Sequence, residues 1–237
     1  MAMATVDVAA RRAALVRSAM FQVLEPAEID SVLAQAAVRR VARNELILRR
    51  GDPSSGANIV VSGRVRIGTI AEDGREVALG VLGPGDVLGE MSVLDGEEVS
   101  ADVTALEDCV LLFIERARFL RLLRANSDMC LRLMAVLCRR LRRSNAALED
   151  LALLDLAARL ARLLLRLAQD YGAPVPPRGV RIEVKLSQKD LGTLVGSSRE
   201  KVNKQLREWE SEGVLGKDQG RMVILRRDAL AAAASPE

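Results

Sequence analysis

The stretch LSQKDLGTLVGSSREKVNKQLREWESEGVL, residues 186–215, decides how the C-terminal quarter of the chain folds. Ser187 is placed to cap a first helix, Gly196 supplies a turn, and Ser197 or Ser198 caps a second helix. The apolar residues of these two helices are Leu191, Leu194, Val202, Leu206 and Trp209. Two short helices that are joined through a glycine predict a helix-turn-helix.

The outward face of the second helix carries polar groups that can recognise the edges of base pairs. Its members are Arg199, Glu200, Lys201, Asn203, Lys204 and Gln205. Arg and Lys donate to guanine, Glu accepts from cytosine, and Asn or Gln pairs with adenine. Two apolar segments, at 213–215 and after Gly220, predict a wing behind this helix. A solvated helix face alone would need neither the caps nor the turn and wing, so the motif indicates DNA binding.

Charge and composition favour double-stranded nucleic acid as the partner. The 237 residues carry a formal net charge of +3, and the excess lies in the last quarter: 12 Lys and Arg against 9 Asp and Glu from Pro174 onward, and 23 against 23 before it. Aromatic residues make up only 2% of the chain, too few for the stacking surfaces that bind single strands.

The sequence also excludes several classes of function. It contains no histidine, which removes histidine-dependent catalysis and histidine-bound zinc or haem. The three cysteines, Cys109, Cys130 and Cys138, are one too few for an iron–sulfur cluster and are interpreted as small apolar residues. We therefore expect no enzyme and no metal. The N-terminus lacks a signal pattern and no apolar run reaches membrane length, which favours a cytoplasmic chain without a membrane partner.

Residues 45–114 have the pattern of an antiparallel β-roll. A helix is predicted before them, at 26–42. Short β-branched segments alternate with glycine turns, and they lie at 47–48, 58–61, 65–70, 77–82, 99–105 and 109–114. Strands of this length with such frequent glycine are typical of a roll or barrel. The pair Asp73-Gly74 predicts a hairpin turn between two of them.

From Glu115 to about Gln169 the apolar period is that of a helix. Seven residues are spaced alternately by four and three, as in a coiled-coil seam: Met134, Cys138, Leu141, Asn145, Leu148, Ala152 and Asp155. Asn145 among apolar neighbours is typical of a register-fixing position, so a homodimer is predicted, with an ordinary packed helix as the alternative. Asp155 is also a plausible N-cap, which predicts a helix break and candidate hinge near Leu154.

Two stretches are similar to a known family. PGDVLGEMSVLDGEEVSADV, residues 84–103, resembles the phosphate-binding cassette of cyclic-nucleotide-binding domains, and residues 197–215 resemble the recognition helix of the cyclic-AMP receptor protein. Over almost its whole length the chain resembles the CRP/FNR superfamily of transcription factors. The resemblance implies an α+β fold with an N-terminal antiparallel β-roll (a cyclic-nucleotide-binding-like jelly roll) at 1–125, a dimerisation helix at 126–154 and a winged helix-turn-helix at 155–237.

The resemblance also implies an effector pocket in the β-roll, for cyclic AMP or, as second choice, cyclic di-GMP. Its residues are Gly89, Glu90, Met91, Val99, Ser100, Ala101, Ser144 and Asn145. Glu90 matches the glutamate that accepts from the ribose hydroxyl. Ser144 and Asn145 match the residues that contact the purine, one from each subunit. Val99 stands where cyclic-AMP binders have an arginine, and a missing charge-assisted bond costs roughly 1.5–3 kcal/mol of phosphate binding.

For DNA, the resemblance implies contacts from Ser187, Gln188, Ser198, Arg199, Glu200, Lys201 and Lys204. Arg199 and Glu200 match base-reading positions, which predicts TGTGA-like half-sites in an inverted repeat, while Lys204 replaces the family's arginine. The expected function is that of a dimeric, sequence-specific transcription regulator controlled by a small effector, with RNA polymerase as a further partner. The alternative is an effector-independent regulator whose β-roll is only structural.

Overall fold

The computed structural model describes residues 7–70, 76–176 and 179–235. The first part of the chain forms a β-roll with helices around it. Its strands are β1 (Ala37–Val41), β2 (Leu46–Leu48), β3 (Gly56–Ser62), β4 (Val65–Ile70), β5 (Glu76–Leu82), β6 (Val87–Leu88), β7 (Asp102–Ala105) and β8 (Cys109–Glu115). Its helices are α1 (Val8–Arg17), a 3₁₀ turn (Phe21–Val23), α2 (Pro26–Gln35), α3 (Glu90–Asp95), α4 (Arg116–Ala125) and the start of α5 (Ser127–Leu153).

The strands form two four-stranded sheets, in the orders β1-β8-β3-β6 and β2-β7-β4-β5, so the predicted β-roll is confirmed. Successive side chains of β3 point to opposite faces, as the pleat requires. Val60 packs between the sheets with Leu88 and Leu111. Ile59 packs on the other side of its sheet, against a cluster that includes Phe119. The roll is therefore buried on both sides of β3.

The structure corrects three of the predicted elements. The helix predicted at 26–42 ends at Gln35, because Ala36 is extended and the next five residues pair with β8 as β1. The strand predicted at 99–105 begins at Asp102, since the backbone of Val99 bonds instead to Gly51 and Asp52. The prolines of GAPVPP, residues 172–177, predict a loop after Tyr171, but its first three residues form an edge strand at 172–174. The predicted Asp73-Gly74 turn lies outside the described residues.

The predicted helix break is confirmed. Helix α5 is 27 residues long and ends at Leu153, and α6 (Leu156–Tyr171) begins after Asp155, whose carboxylate accepts from the amide of Ala158 at 2.8 Å. Asp155 therefore acts as an N-cap outside α5. Its inclusion in the coiled-coil seam was wrong, because the helix that carries the seam has already ended.

The C-terminal part forms the predicted winged helix-turn-helix. Its elements are β9 (Gly172–Pro174), β10 (Val180–Ile182), α7 (Gln188–Val195), α8 (Arg199–Ser211), β11 (Leu215–Asp218), β12 (Arg221–Ile224) and α9 (Arg227–Ala233). Ser187 caps α7, Ser198 rather than Ser197 caps α8, and Gly196 between them has a φ of +64°. A side chain is rarely tolerated in that conformation, which explains the glycine. The buried residue at the end of α7 is Val195, whereas Leu194 is half-buried.

The chain divides into two compact units. One comprises the described residues of 7–70 and 79–142, and the other comprises 76–78 with the described residues from 143 onward. The first contains the cassette that resembles an effector site, and the second contains the helix-turn-helix.

Candidate effector pocket and nucleic-acid interface

The cassette is built on a sharp turn between β6 and α3. Gly89 has a φ of +75°, and a Cβ there would lie 3.3 Å from the carbonyl oxygen of Gly56 and from a methyl carbon of Leu48. Glycine is needed for both reasons. The turn points Glu90, the first residue of α3, into the interior, while Met91 stays 47% exposed.

Glu90 is a buried carboxylate that is paired with an arginine of the long helix. Its side chain is 3% exposed and forms an ion pair with Arg140 of α5. The same guanidinium donates to the carbonyl oxygen of Val87 at 2.7 Å. Burial raises the pKa of Glu90 above its ordinary value, and the charge of Arg140 offsets only part of that effect. The carboxylate and the guanidinium together form the polar centre of the cassette.

Arg140 was missed by sequence reasoning. It lies four residues before Ser144, so the two share one face of α5. The signal available in the sequence was chemical: a glutamate that the cassette buries needs a cation, and α5 is rich in arginine. Ser144 and Asn145 are exposed on α5.

Val99 is a core residue in this structure. It is 6% exposed, its carbonyl accepts from the amide of Gly51 and its amide donates to the carbonyl of Asp52, both at 2.9 Å. Ala101 is buried and Ser100 is exposed. The residues present thus fit the ribose of a cyclic nucleotide, through Glu90, and do not supply the family's guanidinium for its phosphate.

The three cysteines are free thiols in different surroundings. Cys109 lies on β8, where burial and then the charge of Glu107 raise the pKa of its thiol to about 11. Cys130 is half-buried and Cys138 is exposed, and both lie on α5, as predicted. In the described part of the chain, no three acidic or cysteine side chains are grouped to hold a metal ion. None of the described helices could span a membrane.

The start of α8 presents an ionised carboxylate and a set of cations. Glu200 accepts hydrogen bonds from its own backbone amide and from the hydroxyl of Ser198, which lower its pKa. Arg199, Lys201 and Lys204 are exposed, and within the described residues none of the three forms an ion pair. A charged helix face without internal partners is suited to binding an external polyanion.

The two helices of the motif are tied together by a side-chain hydrogen bond. Gln188 of α7 donates to the carboxamide oxygen of Asn203 on α8 at 2.8 Å. Ser187 is exposed at the start of α7, where its hydroxyl accepts from the amide of Asp190 at 3.1 Å. The structure therefore brings all seven predicted DNA contacts into the helix-turn-helix, at the starts of its two helices and along α8.

Comparison with known proteins places the chain in a family. The model of the cyclic nucleotide-binding domain matches residues 38–126, and that of the Crp-like helix-turn-helix domain matches residues 158–233. The chain is 33% identical, over 211 residues, to the CRP-like cAMP-activated global transcriptional regulator of Mycobacterium tuberculosis, covering 89% of this chain and 93% of that protein. It is 34% identical over 198 residues to the cyclic AMP receptor protein of Thermus thermophilus, covering 84% and 88%.

Among solved structures, the c-di-GMP-responsive global regulator CLP of Xanthomonas campestris superposes with a TM-score of 0.72 at 28% identity, over 84% of this chain and 99% of that one. The chain belongs to the CRP/FNR family of transcription regulators. It is a DNA-binding regulator with a cyclic nucleotide-binding domain and a helix-turn-helix, and not an enzyme.

The ion pair between Glu90 and Arg140 gives a testable prediction. Arg140→Met leaves the buried carboxylate without a cation, so we expect the β-roll to lose about 3 kcal/mol of unfolding free energy in urea, followed by circular dichroism. Without Arg140 the pKa of Glu90 rises further, and stability then falls as pH rises through that value. The defect should therefore shrink as pH is lowered toward 4.5, the ordinary glutamate value.

The matched control is Arg139→Met, which changes an exposed neighbour on the same helix. The double variant Arg140→Met with Glu90→Gln should recover most of the lost stability, because no buried charge remains. Equal losses from Arg139→Met and Arg140→Met would contradict a structural role for the pair.

Proposed function

We propose that this protein is a dimeric, sequence-specific DNA-binding regulator of the CRP/FNR type that is controlled by a small effector in the β-roll. The functional regions are the sensor at 1–125, the dimerisation helix at 126–154 and the DNA-binding domain at 155–237. The observation that carries the proposal is the exposed start of α8, where Arg199, Lys201 and Lys204 form no ion pair within the described residues. We assign the protein to the cytoplasm, with RNA polymerase as a further partner.

Base reading is assigned to the first two residues of α8. Arg199 presents two donors for guanine, and the ionised Glu200 accepts from the amino group of cytosine. Lys204 has a single ammonium group and cannot form the planar two-donor contact, so its base pair is read less strictly. The proposed target is an inverted repeat of TGTGA-like half-sites, because a two-fold dimer presents two equivalent helices.

Arg199→Ala should cost about 1–3 kcal/mol per half-site on the inverted repeat and little on a scrambled duplex. The reason is that a base contact is lost in one complex and does not exist in the other. Binding titrations at fixed salt measure both losses. Lys201→Ala serves as the comparison, since a phosphate contact should weaken both duplexes alike. Equal losses of affinity for the two duplexes in Arg199→Ala would show that Arg199 contacts the DNA phosphate backbone and not a base.

Dimerisation is assigned to the seam of α5. Its large apolar members are exposed in the single chain: Met134 is 51% exposed, Leu141 is 62% and Leu148 is 66%. Cys138 and Asn145, at the same spacing, are also exposed. A stripe with coiled-coil spacing is complementary to a second copy of itself, and a parallel pair would bury it.

Leu148→Glu should convert the dimer to monomer in sedimentation experiments, because two like charges would face each other in a desolvated seam. Ala146→Glu, which changes an exposed residue of α5 outside the seam, should leave the dimer intact. Mild oxidation gives a second readout: the exposed Cys138 should form a covalent dimer that Cys138→Ser abolishes. An unchanged dimer in Leu148→Glu would exclude this seam.

The effector is proposed to be a cyclic nucleotide held at Glu90. The M. tuberculosis relative is described as cAMP-activated and the X. campestris protein as c-di-GMP-responsive, and both ligands contain a ribose and a phosphate. Glu90 supplies the acceptor for a ribose hydroxyl. One observation favours the alternative, effector-independent regulator: Glu90 is already satisfied by Arg140, and Val99 supplies no charge.

Calorimetric titration with cyclic AMP and cyclic di-GMP distinguishes these possibilities. We expect weak cyclic-AMP binding by the wild type and at least about tenfold tighter binding by Val99→Arg, since a charge-assisted bond contributes roughly 1.5 kcal/mol or more. Val99→Met controls for the added bulk. If neither ligand changes the melting temperature or DNA affinity, the effector-independent function is supported. Tight binding by the wild type with no gain from Val99→Arg would show that another group holds the phosphate.

A further inference from the structure

The C-terminal sheet has the strand order β11-β12-β10-β9, and its hairpin β11–β12 is the wing. A chain of ion pairs lies at one end of this sheet. Arg181 of β10 donates to the carboxylate of Glu183 at 2.6 Å and to that of Asp218, at the end of β11, also at 2.6 Å. Arg221, the first residue of β12, lies 2.7 Å from the other oxygen of Glu183. Two arginines and two carboxylates thus form one continuous network, whose net charge is zero.

The strand register explains how these residues meet. Asp218 and Arg221 are directly opposite each other, on either side of the turn Gln219–Gly220. On the other side of β12, Arg181 is paired with Val223, so Glu183 follows at the level of Arg221. The side chains are only 22–37% exposed. Pairs that are partly buried are screened less by salt than pairs on the open surface.

The wing and the recognition helix therefore use their charges in opposite ways. The wing hairpin has one more charged residue, Lys217, and it is paired with Glu210 at 2.7 Å. Each charged side chain of the hairpin thus forms an ion pair with another residue of the DNA-binding unit. The four cations of α8, by contrast, form no ion pair within the described residues; they are Arg199, Lys201, Lys204 and Arg207. Positive charge is available to DNA on the helix and cancelled on the wing.

This difference affects specificity because contacts to phosphate carry no sequence information. Each cation that neutralises a phosphate adds about 0.9 to the slope of log affinity against log salt concentration. On a cognate site the base contacts fix the register of the domain. On random DNA the domain can orient so that any free cation meets a phosphate, so an additional free arginine strengthens random binding more than cognate binding.

We propose that Glu183 and Asp218 are specificity-determining residues, which act by holding Arg181 and Arg221 away from the DNA backbone. They touch no base and work through the arginines they bind. The proposal rests on the DNA-binding function proposed above and adds a role that residues outside the helix-turn-helix perform.

The test uses the full-length protein with the TGTGA inverted repeat and a scrambled duplex of equal length, over a series of salt concentrations. Asp218→Asn should bind the scrambled duplex several-fold more tightly at low salt, with a salt slope steeper by about 0.9 per subunit. The ratio of cognate to scrambled affinity should fall. Glu183→Gln, which releases contacts to both arginines, should change the slope and the ratio further in the same direction.

Two controls separate the release of an arginine from a change of net charge. Glu212→Gln removes one negative charge from an exposed position next to α8 and should leave the slope near that of the wild type. Arg181→Met combined with Asp218→Asn should return both slope and ratio to wild-type values. Fluorescence of Trp209, the single tryptophan, reports whether each variant's DNA-binding domain is folded.

The proposal is overturned if Asp218→Asn and Glu212→Gln have equal effects, or if the double variant keeps the steeper slope. A wild type that does not distinguish the two duplexes would instead overturn the proposed DNA-binding function. If the wild type distinguishes them and folded Asp218→Asn has the same affinity ratio, only the role of the carboxylates fails.

Discussion

The ion pair between Glu90 and Arg140 is the interaction on which the sensor part of the structure depends. A buried carboxylate is tolerated only when a cation and hydrogen bonds replace the water it has lost. Arg140 supplies the charge and a hydrogen bond to the carboxylate of Glu90, and its other amino group donates to the carbonyl of Val87. The first turns of α5 reach the same core through Met129 and Leu133. The long helix thus contacts the β-roll through apolar packing at its start and through the two polar contacts of Arg140 farther along.

Glu90 is the residue proposed to hold the effector, and its ion pair with Arg140 sets a condition on any ligand that binds there. An effector that uses Glu90 must share the carboxylate with Arg140 or take its place. Either event alters the contact between the cassette and α5, the helix that carries the proposed dimer seam. A change at the proposed pocket would therefore act through Arg140, which lies on α5 and contacts Glu90 and Val87. Control by an effector requires only that the ligand bind better to one arrangement of this contact than to the other.

Local signals made the helix-turn-helix and the helix break predictable, because caps and turns are encoded by neighbouring residues. Ser187, Ser198 and Asp155 each bond to an amide three residues on. The helix predicted to continue over 37–42 shows the limit, because residues 37–41 instead pair with β8, which lies far along the chain. For the same reason, local spacing could not identify Arg140 as the partner of Glu90 or predict the wing network. Glu90 and Arg140 are 50 positions apart, and no spacing rule connects them.

Glu200 and the carboxylates near the wing have the same effect on how the DNA-binding unit binds DNA. Its carboxylate is ionised, held by Ser198 and by its own amide, and it is favourable at the positive end of the helix. Against DNA it is repelled by phosphate, so it costs binding free energy wherever no cytosine donates to it. The carboxylates of the wing act in the same direction, because they cancel cations that would bind any sequence. A domain with this arrangement gives up affinity for DNA in general and keeps affinity where the base contacts proposed for Arg199 and Glu200 can both be made.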